Sequence, residues 1–216
     1  GKRRALIDPA KAQDRVEAGA AATASDTIYL AAADEHGNMV SLINSLYDYF
    51  GSGVVVPGTG LMLHDRGLGF TMTEGRANTV APRRRPFHTI IPAFVTRTTR
   101  TAGVLRDAKG EEPYLAFGVM GGAMQPQGHV QVLLNILEFG MDVQQASDAP
   151  RFRHMSGLRV ALESPIREPV RAALRAKGHE IASERGVAFG GAQLVMKLPR
   201  GWAAGSDSRK DGLAIG

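Results

Sequence analysis

The 216-residue sequence contains no cysteine, which excludes disulfides, thiolate metal sites and a cysteine nucleophile. Any nucleophilic chemistry must therefore come from a hydroxyl or an amine, and both oxidising and reducing compartments remain open. Aromatic residues are sparse at 6%, with one tryptophan, and their scatter offers core filling but no platform for stacking bases. No stretch approaches the roughly 18 consecutive apolar residues of a membrane span, and Gly1-Lys2-Arg3-Arg4 leads into no apolar signal core. The expectation is a soluble protein, cytoplasmic or periplasmic. Concentrated charge is also missing. The net charge is +5, yet the 26 basic residues are dispersed and Arg83-Arg84-Arg85 is their densest run. That pattern describes a solvated surface and argues against a nucleic-acid partner. The histidines show no ligand spacing, so no metal site and no cofactor are expected.

What is present reads as an ordinary folding unit, with 44% hydrophobic and 22% charged residues. Residues 1–26 are helical in character, with Asp8-Pro9-Ala10 as a helix start, and dissolve into an Ala/Gly/Ser-rich stretch from Glu17 to Asp26. That stretch has no apolar periodicity and reads as an exposed, cleavable linker. Residues 27–216 form the second unit. Strand-like runs at 28–33 and 39–46 flank the turn cluster 34–38, which predicts a hairpin. A glycine-rich segment follows, between Gly51 and Gly69. Further strands are expected at 89–95, 114–119, 158–162 and 192–198. Helices are expected at 129–138, 142–148 and 167–177, the second opened by Asp142 as its cap. Strands bracketing a helical middle indicate packed sheets with outer helices, not alternating β-α-β units.

The chemistry begins where linker meets strand. Cleavage between Asp26 and Thr27 would give one residue both a nucleophilic hydroxyl and a free α-amine. The reference pKa of that amine, about 7.7–8.0, suits a general base near neutral pH. A threonine at a strand start also has a purely structural reading. A second element is Gly118 to His129, in which a strand enters the adjacent glycines Gly121-Gly122 and then a helix. Such a turn can aim two backbone N–H groups at a developing oxyanion, or simply be a tight turn. His129 reads as structural.

These residues carry a resemblance. Thr27-Ile28-Tyr29, Asp34, Gly37-Asn38 and Ser41 resemble the opening of the small subunit of γ-glutamyltransferases. The same order of landmarks continues through Phe50-Gly51-Ser52-Gly53, Arg85-Pro86, Met120-Gly121-Gly122 and Asp148-Ala149-Pro150-Arg151, and closes with Ser206-Asp207-Ser208-Arg209. Residues 1–26 are similar to the tail of the large subunit. The resemblance implies an α+β fold, the four-layer αββα sandwich of N-terminal-nucleophile (Ntn) hydrolases, of which this chain supplies about half. It implies self-cleavage between Asp26 and Thr27, attack by Thr27 on a γ-glutamyl-type amide, and an oxyanion held by the Gly121 and Gly122 N–H groups. Water or an amine would then accept the acyl group. A hydroxyl on the second strand, here Ser45, would bond the nucleophile's region. The partner implied is the large-subunit portion of the same precursor, which carries the family's carboxylate-binding arginine.

Departures from the family pattern fall on the acyl pocket. Glutathione-cleaving members hold the glutamyl α-amino and α-carboxylate groups with an Asn, an Asp and a Ser-Ser pair. The corresponding positions here are Tyr47, Gly69 and His88-Thr89. Loss of the acid strands an α-ammonium, which favours glutaryl-type amides, and Gly69→Asp is expected to restore it if the backbone admits a side chain. The alternative is an uncleaved, catalytically silent homologue serving as a binding scaffold.

Overall fold

The computed structural model describes residues 8, 10–12, 27–98, 111–184 and 186–216. Its first element is the hairpin of β1 (Thr27–Ala33) and β2 (Met39–Ser45), paired in register from Thr27↔Ser45 to Ala33↔Met39. The turn closes because Asp34 Oδ1 accepts the N–H groups of His36 and Asn38, both at 2.9 Å, while Gly37 takes φ 89°. One face of the hairpin, including Thr27 and Tyr29, turns inward; Ile28, Leu30, Val40 and Leu42 turn out.

A four-stranded sheet carries the core. It comprises β3 (Ala93–Thr98), β4 (Glu111–Met120), β8 (Gly191–Lys197) and β9 (Trp202–Ser206), in the order β3-β4-β8-β9 and antiparallel throughout. Leu115, Phe117 and Val119 of β4 pack with Ala192 and Leu194 of β8 against Val132 and Ile136 of α1 (Met124–Leu137) and Val143 and Ala146 of α2 (Val143–Asp148). The opposite face of β4 receives the hairpin. A Cβ at Gly118 would lie 2.3 Å from the Tyr29 ring, so glycine is what lets β1 approach. The layers thus run hairpin, sheet, helices. A third sheet, β5 (Phe152–Ser156), β6 (Arg159–Leu162) and β7 (Glu180–Ala182), completes the chain with α3 (Glu168–Ala176).

The hairpin and the expected helices are present, and Asp142 caps α2 through a reciprocal capping box with Gln145. Three expectations change. The strand expected at 89–95 is β3, which begins only at Ala93, after Pro92, a residue with no N–H to give to a ladder. Helix α1 starts at Met124, five residues before the sequence-based start at 129, because Pro126 sits in its first turn, where the missing N–H would be unpaired anyway. The chain also contains one β-α-β unit, since β6 and β7 are parallel and joined through α3. The short strands β5, β7 and β9 escaped the sequence reading. Most of the expected N-terminal helix and linker lies outside the described residues.

A buried ion cluster ties the sheets together. Arg151 and Asp207, each 1% exposed, pair at 2.6 Å. The Arg151 guanidinium also donates to the carbonyls of Ser147 (2.8 Å), Phe189 (3.1 Å) and Gly190 (3.3 Å). Asp207 accepts from Arg209 Nη1 at 3.0 Å and from Ala192 N at 2.8 Å, and Arg209 reaches Glu163 at 2.6 Å. Burial opposes ionisation of Asp207, but the Arg151 charge and the Ala192 and Arg209 N–H groups outweigh it and hold the carboxyl below its usual range. We expect Asp207→Asn to strand the Arg151 charge and cost about 3–5 kcal/mol, measured by denaturant unfolding. A depressed native pKa means the wild-type contribution is complete above the ordinary aspartate pKa of about 3.9 and is lost as pH falls through the lower native value. The wild-type minus Asp207→Asn stability difference should therefore shrink on acidification, and a pH-independent difference would contradict this account.

Candidate active site

Thr27 opens β1 on its inward face and is 8% exposed. Its Oγ1 donates to Ser45 Oγ at 3.1 Å, directly across the hairpin, and Ser45 Oγ also accepts the Tyr47 N–H at 2.9 Å. The antiparallel register makes this contact: Thr27 and Ser45 are Cα partners, so their side chains share a face. Two residues on, Tyr29 OH meets Ser41 Oγ at 2.6 Å; burial pushes its phenol up to about 12 despite the Ser41 hydrogen bond. Tyr29 is therefore protonated at neutral pH and serves packing, not proton abstraction.

Tyr29, two residues from Thr27, packs against Gly118 of β4, three residues before the Gly121-Gly122 turn. Gly121 takes φ 131° and Gly122 φ 56°. Their carbonyls accept from Met124 N and Gln125 N, both at 3.0 Å, which fixes the turn at the head of α1. A Cβ on Gly121 would stand 2.9 Å from Gly190 Cα, and one on Gly190 would stand 2.3 Å from Met120 O, so two strand ends meet glycine to glycine.

The acyl-side positions cluster around the glycine-rich segment. Tyr47 has a positive φ of 82°, unusual for a large side chain. Its ring lies under the guanidinium of Arg66, whose Cζ is 5.2 Å from the ring centroid. Two hydrogen bonds hold the segments together, Asp65 N to Leu46 O and Asp48 N to Asp65 Oδ1, each 3.2 Å. Gly69 ends the short 3₁₀ turn Arg66–Gly69 and abuts the Phe87 carbonyl. Thr89 is buried, with a hydroxyl that finds no partner among the described residues, whereas His88 is exposed. Asp26 lies outside the described residues. His129 is structural: its ring nitrogens face the carbonyls of Gln125 (2.5 Å) and Ile91 (2.8 Å), and burial pushes its pKa down against both. Among the described residues no group of three or more His, Asp or Glu is placed to hold a metal.

Arg66 was not singled out by the sequence. A lone arginine inside a glycine-rich segment has no spacing signature; its position three residues before Gly69, a pocket position in the family register, was the available clue.

A hydroxyl residue heading the inward face of a hairpin stacked on an antiparallel sheet with outer helices fits an Ntn-hydrolase architecture. The chain belongs to the gamma-glutamyltranspeptidase family, whose family model matches residues 1–216. It is 36% identical over 202 residues to the glutathione hydrolase-like YwrD proenzyme of Bacillus subtilis, covering 89% of this chain and 36% of that protein. It is 32% identical over 199 residues to the oxamate amidohydrolase proenzyme of Klebsiella pneumoniae, covering 88% of this chain and 35% of that protein. A crystal structure of cephalosporin acylase from Bacillus halodurans superposes with a TM-score of 0.81 at 39% identity, covering 98% of this chain and 37% of the other. The chain thus spans little more than a third of the length of these relatives. The fold is the α+β Ntn-hydrolase sandwich, with this chain supplying part of it.

The geometry revises one expectation. A Cβ at Gly69 would sit 2.5 Å from Phe87 O, so the obstacle to Gly69→Asp is space between two backbones. We expect Gly69→Asp to destabilise the protein by about 1–3 kcal/mol without restoring an acidic subsite. A thermal melt equal to wild type would show that the two segments can separate.

Proposed function

We propose that this protein is an Ntn amidohydrolase or acyltransferase in which Thr27, freed by self-cleavage after Asp26, is the nucleophile. The observation that carries the reading is the Thr27 Oγ1–Ser45 Oγ hydrogen bond at the head of a strand whose Tyr29 packs on Gly118, just before the Gly121-Gly122 turn. Ser45 fixes the hydroxyl rotor, so the attacking oxygen is oriented before substrate arrives. In maturation Thr27 Oγ attacks the Asp26 carbonyl carbon, the C–N bond breaks as the amine takes a proton, and water hydrolyses the resulting ester. The exposed α-amine then accepts the hydroxyl proton as Oγ attacks the donor amide. The Gly121 and Gly122 N–H groups stabilise the oxyanion, the leaving amine departs with the proton, and water or a second amine takes the acyl group.

The relatives, a glutathione hydrolase-like proenzyme and an oxamate amidohydrolase proenzyme, support amide cleavage by a proenzyme and offer nothing to a silent scaffold. Residues 1–26 are read as the end of a large-subunit portion and residues 27–216 as the small catalytic portion. The outward face of the hairpin supports that partner. Ile28, Leu30, Val40 and Leu42 are each at least 49% exposed, and burying such side chains is worth about 1.5–3 kcal/mol apiece. Tyr47, Gly69, His88 and Thr89 border the acyl pocket, with the buried Thr89 hydroxyl available to a donor oxygen.

Two outcomes test the assignment. The full-length precursor should yield a Thr27-initiated fragment, and Thr27→Ala should stay one chain by intact-mass analysis. Folded wild-type protein that never cleaves would remove the enzyme reading. Gly122→Val, at a left-handed φ, should lower kcat by on the order of 100-fold or more and change KM less, because the oxyanion donors act on the transition state. A KM effect alone would reduce the glycines to a turn.

A further inference from the structure

Helix α1 begins beside the glycine turn without help from its cap. Ala123 stands at the N-cap position and makes no side-chain cap hydrogen bond. The first turn is held from the side instead. Gln125, fully buried, extends its side-chain carbonyl to the Ile91 N–H at 3.2 Å. One helical turn on, His129 brings Nε2 to 2.8 Å from the Ile91 carbonyl. Ile91 lies outside the sheet: Pro92 follows it, and β3 begins at Ala93. Both main-chain groups of Ile91 therefore meet α1 where a strand would meet its ladder neighbour. The His129 ring is packed on Phe117 of β4, with centroids 5.2 Å apart. A neutral imidazole carries one N–H for the two carbonyls that its nitrogens face, so Gln125 is the more definite half of this clamp.

The same residue closes the glycine turn, because Gln125 N donates to Gly122 O at 3.0 Å. Its side chain is unfavourable where it sits. Nε2 is buried and finds no partner among the described residues, and half of a carboxamide left unpaired opposes folding. A methionine would fill the same space without that penalty. What the amide provides is a fixed link between the main chain ahead of β3 and the first turn of α1.

We propose that Gln125 is a positioning residue for acyl transfer: through Ile91 it holds the first turn of α1, and so keeps the Gly121 and Gly122 N–H groups fixed for the developing oxyanion. This rests on Thr27 being the nucleophile and on those groups being its oxyanion donors. Donors held in advance stabilise the transition state without reorganising, whereas donors free to drift must be ordered in each turnover. Substrate in its ground state depends on them less, so loosening the turn acts on kcat before KM.

The test uses the full-length protein as wild type, Gln125→Met and Gln125→Glu, assayed with γ-glutamyl and glutaryl anilides and normalised to the Thr27-initiated fragment. Gln125→Met should lower kcat by on the order of 10-fold while KM stays within about twofold. Its Tm should stay within about 2 °C of wild type, because one unpaired group, Nε2, is exchanged for another, the Ile91 N–H. Hydrogen exchange at the Ile91 amide should be faster in Gln125→Met and stay slow in Gln125→Glu, which keeps an acceptor there. The new carboxyl is harmful when ionised. Burial raises its pKa, so the kcat of Gln125→Glu relative to wild type should rise as pH falls from about 8 to about 6. The corresponding ratio for Gln125→Met should stay flat. A lower Tm with unchanged kcat, a KM effect alone, a flat ratio for Gln125→Glu, or an Ile91 amide indifferent to Gln125 would each overturn the proposal. If Gln125→Met fails to fold, Gln125→Glu decides through its pH ratio and its Ile91 exchange. Wild-type protein that never cleaves before Thr27 removes the underlying reading and this role with it. A cleaved, active enzyme whose kcat ignores Gln125 overturns this role alone.

Discussion

The close approach of Gly121 to Gly190 is the constraint on which the rest of the site depends. No side chain fits between these backbones, and each glycine adopts a positive φ to make the contact. The approach survives because Arg151 is anchored on the far side, bonding the Phe189 and Gly190 carbonyls while pairing with Asp207. Asp207 in turn holds Ala192 N at the start of β8. A buried ion pair is often a poor source of net stability, because desolvation consumes its Coulombic gain. Its value here is positional. It fixes two strand ends so that the β4–α1 turn cannot relax, and a turn that cannot relax can present preorganised N–H groups.

The hairpin that pairs Thr27 with Ser45 was legible in the sequence, and the reason is local. Thr27, Ser45 and the turn at Asp34 to Asn38 belong to one hairpin, whose register follows from period-two alternation and turn chemistry within nineteen consecutive residues. Gly121-Gly122 was likewise readable as adjacent glycines between a strand and a helix. The start of α1 was misplaced because Pro126 reads as a helix stop until its place in the first turn is known. Arg151, Asp207, Arg209 and Glu163 could be matched to family landmarks, but nothing in their spacing says that they meet. Arg66 was invisible for the same reason in stronger form. Its burial is created by the Leu46–Asp65 and Gly69–Phe87 contacts, which no periodicity encodes.

A hairpin of two strands is marginal by itself, and this one gains support on a single face, through Tyr29 against Gly118. Its other face presents Ile28, Leu30, Val40 and Leu42 in the alternation of a buried strand pair.

The residues expected to carry attack and those expected to border the acyl group are held by different means, and this explains why only the second set departs from the family pattern. Thr27, Ser45 and the glycine turn are positioned by strand register and backbone contact, where a change of residue breaks geometry. The pocket positions Tyr47, Arg66 and Thr89 lie on irregular segments held by a few main-chain hydrogen bonds, Asp65 N to Leu46 O among them. There the frame survives a change of side chain, so charge and size can vary freely. Side chains on the irregular segments can thus vary while the hairpin and the glycine turn keep their geometry, because the two are encoded by interactions of different range.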